Sequence, residues 1–221
     1  MGTGAPIPMR TDPNALLTLS QWLSPAYPVG AFSYSHGLEW AVAQGDVHDR
    51  ASFSRWLRDI LEYGAGRSDA ILLADAYRAD DAAETDALAR ALAPSRERLA
   101  ETVNQGAAFA RATAPIWETP FEDLCYPVAV GVAAKFCGLP LRDTLALFLY
   151  AFAGNLSSAA MRLVPLGQSD GQAVLAECAP LCLSLAEAAM EASPDDIGSC
   201  VLAADIGAMK HETQATRLFQ S

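Results

Sequence analysis

The chain has 221 residues and a mass of 23.4 kDa, with 15 Lys+Arg against 26 Asp+Glu, a formal charge of -11 and a pI near 4.6. An acidic excess of this size, with Lys135 and Lys210 as the only lysines, repels a nucleic-acid backbone and argues against strong DNA or RNA binding. At 52% hydrophobic and 19% charged residues the composition supports a sizeable core, on a length that suits one domain.

In chain order, Met1 to Asp12 has neither the basic start nor the apolar run of a secretory signal and reads as a flexible tail, with a helical domain over 13–221. Pro25, Pro28 and Gly30 fix a bend, after which Ser33 or Ser35 is placed to cap a helix carrying Leu38, Trp40 and Val42. Phe53, Trp56, Leu57, Ile60 and Leu61 form one helical stripe, with Arg55, Arg58, Asp59 and Glu62 facing away and Gly64 as the stop. The acidic, alanine-rich stretch from Asp80 to Asp86 reads as a solvated connection. Ser95 starts a helix whose expected buried stripe is Leu99, Val103, Ala107 and Ala110.

Gly138 and Pro140 separate a helix ending near Phe136 from a long one beginning near Leu141, which is apolar on all sides through Leu145 to Phe152 and is expected at the centre of the fold. Thr144 to Met161 carries no charge over 18 residues, but Gly154, Asn155, Ser157 and Ser158 interrupt it, which favours a buried core helix over a membrane span. After a turn at Pro165 and Gly167, a new helix is expected with Ser169 as its cap and Asp170 in its first turn. Ser193-Pro194-Asp195-Asp196 reads as a further helix start. The periodicities predict an all-α, single-domain compact bundle of roughly eight to ten helices.

The sequence lacks the common catalytic signatures. A P-loop needs a lysine directly after glycine, but Lys135 follows Ala134 and Lys210 follows Met209, so the chain is not itself a P-loop NTPase. No GxGxxG, GxSxG or HExxH pattern occurs, and His36, His48 and His211 are far apart. The five cysteines, Cys125, Cys137, Cys178, Cys182 and Cys200, form no CxxC pair and fit reduced thiols of a cytosolic protein. Cys178 and Cys182 stand one helical turn apart with Pro180 between them, and read as small core residues rather than metal ligands. With no His-rich tract and no cysteine cluster, high-affinity metal storage is not expected.

The informative segments are of another kind. Pro28-Val29-Gly30-Ala31-Phe32-Ser33-Tyr34-Ser35-His36-Gly37-Leu38-Glu39, Tyr126-Pro127-Val128, Gly138-Leu139-Pro140-Leu141, the run from Asn155 to Gln168, and Lys210-His211-Glu212 with Arg217-Leu218-Phe219-Gln220-Ser221 follow one another along the chain. Together, in this order, they resemble the UreF family of urease accessory proteins. Ala31 stands where that family usually has a second glycine, His36 where it often has glutamine, and Lys210 where arginine is common.

The resemblance implies a non-catalytic cytoplasmic chaperone, required for insertion of nickel into apo-urease, that bridges UreD (also called UreH) and the GTPase UreG, binds GTP only through UreG, and forms a homodimer. It implies no tightly bound cofactor, with nickel passing through the complex as cargo. Carried over by position, it assigns Tyr34, Glu39, Arg162, Gln168 and Gln172 to a UreG-facing surface. It assigns Lys210, His211, Glu212, Arg217, Leu218 and Phe219 to a C-terminal UreD-facing tail.

The residues themselves leave two readings of each segment open. The 28–39 run is either a helix-start turn or part of a partner surface, and Arg162 also suits a helix C-terminus, where the dipole favours a cation by about 0.3–1 kcal/mol. Leu218 and Phe219 either pack on the protein's own core or dock on a partner. A reading from another class is a small all-α enzyme or ligand-binding protein with an apolar pocket along the central helix, using Tyr150, His36 or Cys137.

Overall fold

The computed structural model describes residues 12–120, 123–198 and 201–221. Most of the expected 1–12 tail, as well as Cys200, therefore lies outside the described residues. Among those described there are ten α-helices, two short 3-10 turns and no strand.

Helix α1 (Pro13–Trp22) begins where Asp12 accepts a hydrogen bond from the Asn14 N–H at 3.0 Å, with Pro13 in the first turn, and it buries Ala15, Leu19 and Trp22. A 3-10 turn at Ala31–Ser33 leads into α2 (Leu38–Gln44). Helix α3 (Arg50–Tyr63) buries the predicted Phe53, Trp56, Leu57, Ile60 and Leu61, and a reciprocal Asp49–Ser52 capping box fixes its start. It is followed by α4 (Ala65–Arg78) and α5 (Ala83–Ala91).

The acidic stretch is thus not a solvated connection to its end. Asp86 is buried on α5, where its carboxylate takes the Cys125 N–H at 2.6 Å and pairs with Arg90. A carboxylate that satisfies an interior amide is worth more to the fold than one facing water.

Helix α6 (Arg96–Trp117) starts at Ser95 as expected, but the face it buries is different. Leu99 is exposed and Val103 and Ala107 are only half-buried, while Arg98, Glu101, Gln105, Phe109 and Thr113 point inward with Ala110. The apolar stripe misled because this helix buries ion pairs, which compensate one another inside the protein.

Helices α7 (Tyr126–Phe136) and α8 (Leu141–Leu163) meet at Gly138 and Pro140, as the sequence indicates. Helix α8 packs against α1, α2, α3, α4 and α7, and most extensively against α9 (Gln168–Glu191). It is central but not enclosed: Leu145, Phe148, Leu149, Ala153 and Leu156 are buried, whereas Tyr150 is exposed. Both α8 and α9 are long and apolar enough to cross a membrane by length and composition alone, and here they lie against each other in the bundle.

The cap of α9 is Gly167 rather than Ser169, so the helix begins two residues earlier than expected, at Gln168. It runs unbroken through Pro180, which is exposed, and places Cys178 and Cys182 in the core, where burial pushes the Cys182 thiol up to about 12. The Ser193 start yields only a 3-10 turn, Pro194–Asp196, before α10 (Leu202–His211).

At the end of the bundle holding α1 and α6, Trp22 lies edge-on to Phe109 at 5.3 Å and to Trp117 at 5.2 Å, and Tyr27 and Tyr126 also pack on Phe109. Phe109 is fully buried, so Phe109→Ala leaves a cavity beside the rings of Trp22, Tyr27 and Tyr126. It is expected to cost about 3–5 kcal/mol in urea or guanidinium unfolding, well beyond the cost of an exposed-site control such as Leu99→Ala.

Candidate functional site

Two of the segments singled out in the sequence, 28–39 and 210–221, converge on one place, where the 31–39 turn, the end of α10 and the last five residues meet the start of α6. The entry to α2 is made by two successive left-handed residues, His36 (φ 54°) and Gly37 (φ 76°). Glycine is required at 37, because a Cβ there would lie 2.7 Å from the Ala204 carbonyl oxygen and 2.9 Å from the Ala208 nitrogen. This close approach seats α2 directly on α10. The N-cap of α2 is Gly37 rather than Ser33 or Ser35, and the Ser35 hydroxyl, from two residues earlier, accepts the Glu39 N–H at 3.3 Å.

Glu39 is buried at 6% exposure rather than presented to solvent. Its carboxylate accepts the Leu218 N–H at 2.7 Å and the Phe219 N–H at 3.0 Å, and lies 3.1 Å from His211 Nε2. The other ring nitrogen of His211 lies 2.7 Å from Glu97, whose second oxygen accepts a hydrogen bond from Arg217 at 2.7 Å. Glu212 closes the outer edge by accepting from the main-chain and side-chain N–H groups of Arg96.

Behind these lies a second charged layer. Arg98 pairs with Glu101, which also sits 3.0 Å from His36 Nε2 and accepts the Ser221 hydroxyl at 3.2 Å. For Glu101, burial acts upward, but the Arg98 guanidinium and His36 outweigh it and hold the carboxyl at about 2. Burial drives the His36 imidazole down from its ordinary value, with Arg98 acting the same way and Glu101 opposing. Asp69, 3.9 Å from Arg98, is pushed up to about 6 by burial against the pull of that guanidinium.

The predicted residues thus fall into three groups. Tyr34, Glu39, His211 and Phe219 are inside the chain, Tyr34 with its phenol raised by burial. Gln168, Gln172, Lys210 and Leu218 are exposed. Arg162, Arg217 and Glu212 lie at the boundary as polar clasps, and the Arg162 guanidinium lies 4.6 Å over the ring of Phe219.

The resemblance assigns Arg162 and Phe219 to different partner surfaces, and the structure puts them in contact. The residues missed by sequence reasoning are Glu97, Arg98 and Glu101 on α6, and the exposed row Leu202, Ile206 and Met209 on α10. The spacing of that apolar row, one helical turn between members, was a signal available in the sequence.

Two cavities flank His36, one of about 150 Å³ that also borders Ser68, Asp69, Arg98 and Asp205. Neither includes Tyr150 or Cys137 in its wall, so the three reactive groups of the enzyme reading are not gathered around one pocket. Among the described residues, no group of three or more His, Cys, Asp or Glu is placed to hold a metal ion.

The UreF family model matches residues 47–179. The chain belongs to the UreF family. Proteins named urease accessory protein UreF are 54% identical to it over 215 residues in Roseobacter denitrificans, covering 96% of each chain. In Cereibacter sphaeroides KD131 the figure is 56% over 207 residues, covering 94% of this chain and 99% of the relative. In Methylorubrum populi it is 50% over 220 residues. The UreF relatives are aligned over nearly the whole chain, well beyond the 47–179 covered by the family model.

The electrostatics yield a prediction for pH dependence. The folded-state value of Asp69, about 6, lies above its ordinary 3.8, so the folded protein holds this proton more tightly and loses stability as pH rises from about 4 through 6. Asp69→Asn is therefore expected to be more stable than the parent by about 1–3 kcal/mol at pH 7.5, with the gap narrowing at pH 5.5, in paired denaturant titrations. A gap that is unchanged or widens at the lower pH would contradict the assignment.

Proposed function

We propose that the protein is a non-catalytic accessory in urease maturation. It bridges UreD (UreH) and the GTPase UreG, as a cytoplasmic homodimer, and couples GTP hydrolysis by UreG to delivery of nickel into apo-urease. Nickel is the cargo of this assembly, and GTP belongs to UreG. Membership of the UreF family supports the role in general.

The observation that carries the bridging mechanism is Arg162 lying over Phe219. The residues expected to face UreG continue along the exposed first turn of α9 through Gln168 and Gln172. Those expected to face UreD continue along the tail and onto the exposed Leu202, Ile206 and Met209 of α10. A carbon-rich row of this kind at the surface is suited to a protein partner. With Arg162 and Phe219 in contact, movement of the tail on one partner is felt at the end of α8, beside the other. Tyr34, Glu39 and His211 then act from the interior by holding the tail in register.

The test is co-elution with UreD and UreG on a sizing column, with and without GTP and nickel. Gln168→Ala and Gln172→Ala are expected to keep the parent's thermal midpoint and lower UreG capture several-fold while leaving UreD capture intact. Deletion of 217–221 is expected to reduce UreD capture more than it reduces stability. Arg162→Ala is expected to weaken both. If Arg162→Ala affects neither partner and urease activation stays normal, the proposed coupling is wrong.

A further inference from the structure

The charged layer behind Glu39 leaves two carboxylates without a matching cation. Arg98 is committed to Glu101 and lies 3.2 Å from the His36 ring, so it offers Asp69 only a contact at 3.9 Å. Among the described residues no hydrogen bond reaches the side chain of Asp69 on α4 or of Asp205 on α10. Burial raises both carboxyls above their ordinary value, Asp69 to about 6, and the opposing pull of Arg98 does not cancel it. Interior acceptors are as a rule satisfied, and a charge withdrawn from water without a partner is unfavourable.

Both carboxylates border the larger cavity beside His36, of about 150 Å³. Much of its remaining wall is hydrocarbon, from Ile60 on α3, Leu72 on α4, Leu92 at the end of α5, Pro127 on α7 and Val201 before α10. Helices α3, α5 and α7 add no ionisable group to that wall. The charges facing Asp69 and Asp205 are therefore Arg98 on α6, with Glu101 paired to it, and the His36 imidazole, which burial and Arg98 hold toward its neutral form. Glu101 already matches Arg98, so the cavity keeps a negative excess. A cavity of this size holds about six non-hydrogen atoms.

We propose that this cavity binds a short aliphatic primary ammonium ion, whose nitrogen donates to Asp69 under the added charge of Asp205 and whose hydrocarbon chain lies against Ile60, Leu72 and Val201. An anion would meet two unmatched carboxylates. A metal ion lacks ligands, since no group of three or more His, Cys, Asp or Glu among the described residues is placed to hold one. A quaternary ammonium calls for a cage of aromatic faces, and no described Phe, Tyr or Trp lines this cavity. The primary ammonium supplies the missing donors and counter-charge, so its binding stabilises the folded chain. The site lies within the isolated chain and needs neither UreD nor UreG.

The test is titration calorimetry of the full chain at pH 7.5 with n-butylamine hydrochloride, beside 1-butanol, which has the chain without the charge, and ammonium chloride, which has the charge without the chain. Butylammonium is expected to bind saturably at one site and to raise the thermal midpoint, with both controls weaker by about tenfold or more. Asp69→Asn, which removes an unmatched charge and keeps the fold, is expected to weaken butylammonium by about tenfold or more and to leave 1-butanol unchanged. Absence of saturable butylammonium binding, or equal binding of 1-butanol, overturns the proposal. Nickel sulfate binding more tightly than butylammonium, and lost in Asp69→Asn, would make the cavity a metal site and overturn it as well.

Two further measurements keep the test decisive should Asp69→Asn fail to fold. Asp205→Asn removes the second carboxylate from another helix and is expected to weaken butylammonium several-fold. In the parent protein, a proton on Asp69 competes with the ligand, so butylammonium affinity is expected to fall as pH drops from 7.5 through about 6. Affinity that stays constant over that range, or that rises as pH drops, overturns the assignment to Asp69.

Discussion

The carboxylate of Glu39 is withdrawn from water and matched by donors from the opposite end of the chain. Its partners are two tail amides and the His211 ring, while the carboxylate itself belongs to the second helix. Withdrawing such a charge is unfavourable unless it is well paired, and leaving it unpaired costs several kcal/mol. The turn at 31–39, the end of α10 and the last five residues therefore depend on one another, although some 180 residues separate them in sequence. Gly37 makes this geometry reachable by letting α2 approach α10 at main-chain distance.

Behind Glu39, α6 supplies a second set of interior charges rather than a hydrocarbon stripe. Arg98 and Glu101 neutralise each other, and His36 and Ser221 complete the hydrogen bonding of Glu101. The apolar work is done further along the same helix, where Phe109 meets Trp22, Tyr27 and Tyr126. One helix thus holds an aromatic core at one end and a polar clasp at the other. A clasp of ion pairs and hydrogen bonds fixes direction and register more strictly than non-directional burial does, which suits a segment that has to sit in a single orientation.

This arrangement changes what the family-like residues do. Tyr34, Glu39, His211 and Phe219 were expected at partner surfaces, yet they lie inside and shape the surface from beneath. Exposed side chains next to them, Gln168, Gln172, Lys210 and Leu218, are the ones available to partners. Arg162 belongs to both layers, since it ends α8 and covers the tail's aromatic ring. The order of the tail and the end of α8 are for that reason linked at this end of the molecule.

The sequence by itself determined the helical class, the α3 stripe, the Ser95 start of α6, the break at Gly138 and Pro140, and the family, because periodicity, caps and motif order are local signals. It also marked the segments 28–39, 155–168 and 210–221, parts of which meet at the tail. Only the tertiary structure decided which of their residues face water. The Leu99 stripe failed, and the solvated reading of Asp86 failed with it, because an interior charge is recognisable only together with its distant partner: Glu101 with Arg98 and His36, Asp86 with the Cys125 amide. The C-terminus made the same point. Leu218 and Phe219 are equivalent in sequence, and the seating of their two amides on the Glu39 carboxylate buries one side chain and exposes the other.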